Sequence, residues 1–302
     1  MKRRIIKLGQ ATYVASLPSK WIRKHNLEKG DYLEVKEKDN SLIVSTEKLL
    51  DTKSIEIAVP KEDLFLKRYI LAPYKFGYDE VKFTYKDKSL FSQIQLAADY
   101  LMGFEIVEQG DNYCVFRAIS RTFQDEFDNL FRRVMTIISN NINEVIEILN
   151  TKDYKSLTKI PNQDKLVDKI TLFLERAINK KGLNNFEKNA LSYITIWSLE
   201  QIGDDIKNIS QVILKLNLCS LETSKKIADV RNLFNEFLKL YYKPSLEKNF
   251  ELNSKFIRTE QSLVKLIQKV PKEEVIIIHY LLKMVDKLNH LAVSIQADPE
   301  LL

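Results

Sequence analysis

The pattern of apolar and polar positions changes twice along the chain and divides it into three stretches. Short alternating runs fill residues 1–50, alternating and helical runs follow each other over residues 51–120, and from residue 121 apolar positions recur at intervals of three and four. Alternation is typical of strands, and the wider spacing is typical of amphipathic helices. The pattern predicts an α+β multidomain protein with a β module first, a small α/β domain next and a helical domain over residues 121–302.

The first stretch predicts a small module of very short elements. Strands are expected at residues 3–8 and 13–17, a short helix follows Pro18, and a hairpin joins residues 32–36 to 41–45. So few residues in such short elements bury little core alone. The module is therefore expected to need a second copy of itself, as a homodimer.

Charge in this first stretch is one-sided. Eleven basic and six acidic residues give residues 1–50 a net charge of +5, out of +6 for the whole chain. An uncompensated basic patch on a small unit favours binding to a polyanion, although a solvated basic face remains an alternative. The candidate contacts to double-stranded DNA are Arg3, Arg4, Lys7, Lys20, Arg23 and Lys24.

Ten residues of the first stretch together match the pattern of a known family. They are Gly9, Thr12, Ser16, Leu17, Pro18, Trp21, Leu27, Lys29, Gly30 and Asp31. Through them the stretch resembles the AbrB/SpoVT-type swapped-hairpin domain. That family interleaves hairpins of two chains into one small barrel, so the resemblance implies an obligate dimer whose basic side chains hold DNA. Some relatives use the same fold for protein contacts.

The middle stretch, residues 51–120, predicts one sheet and two helices. No ligand chemistry stands out in it, so a spacer or dimer contact and a small-molecule sensor are both open. Strands are expected at 54–59, 79–85, 104–108 and 113–119, and helices at 61–73 and 89–102.

The last stretch predicts six helices, which suit two antiparallel three-helix bundles over about 121–217 and 218–302. Their expected bounds are 121–150, 162–180, 186–216, 221–242, 245–269 and 272–297.

Two acidic pairs of this stretch have helical spacing. Glu200 and Asp204 lie four residues apart and share a helix face, and Asp164 and Asp168 repeat the spacing on the preceding helix. Such pairs on facing helices can converge into a carboxylate metal site. The alternative is that these acids lie on solvated faces.

Residues 198–209 resemble the signature helix of PhoU-type phosphate uptake regulators. That family consists of two homologous three-helix bundles, and its acidic motifs hold iron or zinc in some members. The resemblance implies that Glu200 and Asp204 are metal ligands and that Asp164 and Asp168 assist them.

The second bundle departs from this motif. Asp286 matches the position of Asp204, but Leu282 stands where the family has Glu. His290 lies one turn beyond Asp286 and could substitute as a ligand, while a partly buried structural histidine is the alternative.

The combination of the two resemblances is the arrangement of archaeal phosphate uptake regulators. It implies a DNA-binding transcription regulator of phosphate homeostasis with a helical sensor. The alternative is a signalling adaptor without DNA binding, which contacts a phosphate transporter's ATPase or a kinase.

Several other features narrow the class of protein. The sequence has none of the phosphate-binding, zinc-protease or nucleophile-elbow motifs and only three histidines, which argues against an enzyme. No apolar run is long enough for a membrane span. Cys114 and Cys219 are far apart without zinc-site spacing, so buried thiols in a reducing cytoplasm are expected.

Overall fold

The computed structural model divides into two compact units, Met1–Thr52 and Lys53–Leu302. It describes residues 2–38, 41–46, 53–60, 66–119, 126–181 and 186–296. The protein is a mixed α+β structure with small β hairpins first and a helical region last, as predicted.

The first unit contains two antiparallel hairpins on either side of one short helix. Strands β1 and β2 pair from Ile5 opposite Ala15 to Leu8 opposite Thr12, and Gly9 turns the chain with a φ of +78°. The turn predicted at residues 39–40 lies outside the described residues. The elements are β1 (Ile5–Leu8), β2 (Thr12–Ala15), α1 (Ser19–Lys24), β3 (Leu33–Lys38) and β4 (Ser41–Thr46).

Apolar side chains of this unit lie open to solvent within one chain. None of its residues whose burial the structure describes is buried. Many exposed apolar side chains on so small a unit indicate a surface that contacts another protein chain. The large exposed side chains are Ile5, Ile6, Leu8, Tyr13, Val14, Leu17, Tyr32, Val35, Leu42 and Ile43.

The second unit begins with a four-stranded sheet in the order β5-β6-β8-β7. Strands β5 and β6 are parallel, and the other pairs are antiparallel. Two helices cover the sheet, and the order of elements is the predicted one. They are β5 (Ser54–Ala58), α2 (Leu66–Lys75), β6 (Glu80–Thr84), α3 (Leu90–Ala98), β7 (Phe104–Gln109) and β8 (Tyr113–Ala118).

Six long helices form the rest of the unit. Ser220 and Ser245 cap the helices that follow them by accepting hydrogen bonds from backbone amides three residues on. A short 3-10 helix at Tyr154–Lys159, which the pattern did not predict, precedes the second long helix. The long helices are α4 (Phe127–Thr151), α5 (Ile160–Lys181), α6 (Phe186–Leu216), α7 (Leu221–Tyr242), α8 (Leu246–Leu266) and α9 (Val275–Gln296).

The helices share one hydrophobic core, and the sheet has a second core of its own. Helix α5 joins the two, because Leu172 packs in the core of the sheet. Of the two thiols, Cys114 is buried as predicted, whereas Cys219 is partly exposed. Among the described helices, none combines the length and apolar character that a membrane crossing requires.

Candidate nucleic-acid interface and candidate metal centre

The six candidate DNA-binding residues all lie exposed on the first unit. Arg3 and Arg4 precede β1, Lys7 lies within it, and the other three belong to α1. In the part of the chain that the structure describes, none of the six forms a salt bridge with an acidic side chain. Their charges are therefore available to an external polyanion.

Helix α1 presents its cations together. Lys20 and Lys24 lie four residues apart, and Arg23 lies between them, so the three share one face. Trp21 and His25 pack against each other elsewhere on the helix, with ring centroids 5.0 Å apart. A short helix with clustered cations can dock on phosphate groups without reading bases.

On the second unit, α5 and α6 bring three carboxylates together. One oxygen from each of Asp164, Asp168 and Asp204 lies within 4.8 Å of the other two. This set is named here the aspartate cluster. The side chain of Asp164 is only 2% exposed, and that of Asp168 is 17% exposed. The two predicted acidic pairs therefore do approach each other, but only three of their four carboxylates belong to the cluster.

The amino group of Lys207 lies inside this cluster. Its Nζ donates to Asp164 Oδ2 at 2.6 Å and also to Asp204 Oδ1. Burial works against the charged form of Lys207, but its hydrogen bonds to the two carboxylates raise its pKa overall. A second lysine, Lys67 of α2, lies with its Nζ 3.9 Å from Asp168 Oδ2.

The cluster fits a cation. Buried oxygens of Asp164 and Asp168, both Oδ1, have no hydrogen-bond partner among the described residues, and buried carboxylate oxygens seek one. Gly203 lets α6 approach, since a Cβ there would lie 3.0 Å from Asp164 Oδ1. The donors are all oxygens, which suit hard divalent ions better than zinc.

Burial also shifts the acids toward their neutral forms. Burial, followed by the charge of Asp164, raises the pKa of Asp168 to about 6. Burial likewise raises the pKa of Asp164, against the opposing effect of Lys207. Excess negative charge in the cluster is the condition that a cation relieves.

Glu200 lies beside the cluster rather than within it. Its carboxylate accepts a hydrogen bond from Gln201 Nε2 at 2.6 Å, and burial raises its pKa to about 7. It lines a cavity of about 370 Å³ between α2 and the pair α5 and α6, together with Asp168, Glu175 and the half-exposed Trp197.

The predicted ligands of the last helix lie apart from this arrangement. Asp286 Oδ1 and His290 Nε2 are 3.4 Å apart, and both side chains are more than two-thirds exposed. Among the described residues, the two do not join a group of three potential ligands. Among the predicted ligands, the structure therefore brings three acids together and leaves Asp286 and His290 as an exposed pair.

Comparison with known families gives two partial matches. Residues 6–49 match the antidote-toxin recognition family MazE, a bacterial antitoxin. Residues 131–213 match the PhoU domain. The chain is thus similar to a MazE/AbrB-like domain at one end and to PhoU behind it, which confirms the two resemblances at this level.

The aspartate cluster lies within the PhoU-like segment, while Asp286 and His290 lie beyond it. A comparison with curated proteins finds no match. Among solved structures, the phosphate transport system regulatory protein PhoU from Streptococcus pneumoniae is 14% identical, with a TM-score of 0.45. The alignment covers 60% of this chain and 99% of that one.

Sequence reasoning missed Lys207 and Lys67. Lys207 follows Asp204 by three residues, which is a spacing that places both on one helix face. That signal was present, but the contact with Asp164 on another helix could not be seen in the sequence. Lys67 belongs to the α/β part, and no local pattern relates it to α5.

Proposed function

We propose that the protein is a dimeric, DNA-binding regulator of phosphate homeostasis. The first unit binds double-stranded DNA through phosphate contacts. The PhoU-like helices sense phosphate or metal status and thereby regulate transcription. The observation that carries this proposal is a set of six exposed cations that have no acidic partner among the described residues, on a unit with exposed apolar strands. The MazE/AbrB-like and PhoU-like matches support it.

Dimerisation follows from the surface of the first unit. Isolated two-stranded hairpins are marginal in water, and this unit has two of them with apolar side chains exposed. A second copy would cover those side chains and build a common core. The basic residues of both copies would then form one larger cationic surface, which raises the affinity for DNA.

The helical half carries the proposed metal site. The two groups α4–α6 and α7–α9 are proposed to be two three-helix bundles, of which the first would hold an ion. Asp164, Asp168 and Asp204 are the ligands that the geometry favours, with Glu200 next to them. A bound iron or other divalent ion would neutralise these carboxylates and cross-link α5 to α6.

A second candidate is a protein-binding adaptor without DNA binding. The MazE family is described by its recognition of a toxin, so the first unit could contact a protein instead. The PhoU-like helices would then act on a phosphate transporter's ATPase or on a kinase.

Crosslinking and sequencing of bound DNA in cells distinguishes the two candidates. We expect the wild-type protein to enrich fragments near phosphate uptake genes, with occupancy that changes with phosphate supply. Replacing Arg3, Arg4 and Arg23 by Ala should remove the enrichment, because phosphate contacts supply much of the affinity.

The matched control removes three exposed arginines of the helical half, Arg132, Arg133 and Arg258, and should keep the enrichment. Enrichment that survives in the first variant, or that no form of the protein shows, would contradict DNA binding by this surface and favour the adaptor.

A further inference from the structure

We propose that the Lys207 ammonium is the resident cation of the aspartate cluster, and that a divalent ion binds there only by displacing it. The inference rests on the proposed metal site but is separable from it. It assigns to Lys207 the role of an internal competitor that sets the metal affinity of the helical half.

The contacts of Lys207 support this role. Its Nζ lies at hydrogen-bond distance from oxygens of Asp164 and Asp204, which are two of the three carboxylates that form the cluster. Lys207 comes from the same helix as Asp204, and Asp164 comes from α5, so the ammonium already joins the two helices. A metal ion on these carboxylates would do the same.

Simultaneous occupation is unfavourable. An ammonium and a divalent ion would share oxygens of the same two carboxylates, and like charges at such distances repel strongly in a partly buried site. The Lys207 side chain is 24% exposed, so its flexible stem can carry the amino group to solvent when an ion enters.

The next acidic residue of α6, Asp205, also pairs with lysine side chains. Asp205 is fully buried, and its carboxylate accepts hydrogen bonds from Lys283 and Lys287 of α9. Lysine ammonium groups therefore pair with carboxylates at two adjacent positions of this helix, the partly exposed Asp204 and the buried Asp205. Only the cluster at Lys207, however, gathers three potential ligands among the described residues.

The substitution Lys207→Met keeps much of the side-chain volume and removes the charge. Without metal, the variant should be less stable than the wild type, because Asp164 and Asp204 lose their ammonium partner. With metal, its affinity should exceed that of the wild type by about tenfold or more, since no ammonium must leave. Added metal should also restore its melting temperature.

Lys226 provides a matched control. Its side chain is also 24% exposed, and its Nζ lies 2.6 Å from Asp229, three residues on in the same helix. Asp229, however, does not belong to the group of three potential metal ligands among the described residues. Lys226→Met should leave metal affinity unchanged. Lys207→Arg, which keeps the positive charge, should bind metal no better than the wild type.

The experiment is titration of the metal-free 302-residue chain with Mn²⁺ and with Zn²⁺ by calorimetry, paired with thermal unfolding. Tighter metal binding by Lys207→Met than by the wild type and the control variants supports the inference. If the wild type binds no metal while Lys207→Met does, the inference still holds, but the proposed metal role of the native protein is refuted. Equal affinity in the two proteins overturns the inference and leaves that metal role standing.

Absence of binding by both proteins overturns the inference together with the metal site. If Lys207→Met does not fold, Lys207→Gln removes the same charge with a polar, shorter side chain, and its affinity is judged by the same outcomes.

Discussion

Arg176 of α5 connects the helices to the α/β part of the second unit through hydrogen bonds. Its replacement by Met tests how much these contacts contribute to stability. The side chain is fully buried on α5. Its Nη1 donates to the carbonyl oxygens of Tyr74 at 2.9 Å and Tyr78 at 2.6 Å, and its Nη2 lies 3.2 Å from Asp79 Oδ1. The guanidinium also faces the ring of Phe104, with its carbon 4.7 Å from the centroid.

The expected loss follows from these contacts. A hydrogen bond that involves a charged group contributes about 1.5–3 kcal/mol, and three such contacts are removed. In the wild type, the stabilisation from these hydrogen bonds is partly offset by the cost of burying the guanidinium, and Arg176→Met removes that cost as well. Removing one partner of a buried ion pair typically costs about 3–5 kcal/mol, so we expect a loss in that range. Asp79 retains Lys180 as a partner.

Urea denaturation followed by circular dichroism measures the loss, and hydrogen exchange of the strand amides locates it. Arg117 provides the control, because it pairs with Glu80 in the same sheet but is 56% exposed. Arg117→Met should cost about 1 kcal/mol or less, as exposed pairs do. Equal and small losses in the two variants would refute the view that Arg176 fastens the sheet to the helices.

Three further predictions concern other regions. Leu8→Asp should convert the proposed dimer to monomers in analytical ultracentrifugation, whereas Leu221→Asp, at a similarly exposed position of the helical half, should not. Gly77→Ala should destabilise the fold by about 1–3 kcal/mol in urea denaturation, because φ is +82° and the added Cβ would lie 3.1 Å from Lys180 Cβ. Glu200→Gln should flatten the pH dependence of stability, because burial raises the pKa of Glu200 in the folded protein.

The sign of the Glu200 effect follows from its raised pKa. The folded protein keeps this proton up to about pH 7, while the unfolded chain loses it near 4.5. The free energy of unfolding therefore falls as the pH rises between these values. Glu200→Gln should stabilise the protein by about 1–3 kcal/mol at pH 8 and by much less at pH 5, and equal effects at both would contradict this.

The sequence was most informative where the structure depends on local pattern. The six helices of the last stretch follow from apolar spacing and from breaks at Pro and Asn, and their observed bounds agree within a few residues except where residues 120–125 are not described. The approach of Asp164 and Asp168 to Asp204 was also foreseeable, since acids four residues apart share a helix face, but Glu200 lies beside this group.

The remaining features depend on contacts between distant segments. Arg176 and Asp79 are 97 residues apart, and neither has a local pattern that indicates the other. Lys207 was hidden for a related reason, because a lysine three residues after an aspartate is common on solvated faces. The predicted boundary near residue 120 stays a prediction, and contacts such as that of Arg176 cross it within one compact unit.

The salt dependence of DNA binding tests the central claim most directly. Fluorescence anisotropy of a labelled duplex with the 302-residue chain should show an affinity that falls steeply with salt, by about 0.9 logarithmic units per decade for each phosphate contact. Loss of Arg3, Arg4 and Arg23 should reduce the slope by about 3 per protomer. Absence of binding at low salt, or a slope that the variant leaves unchanged, would contradict the account.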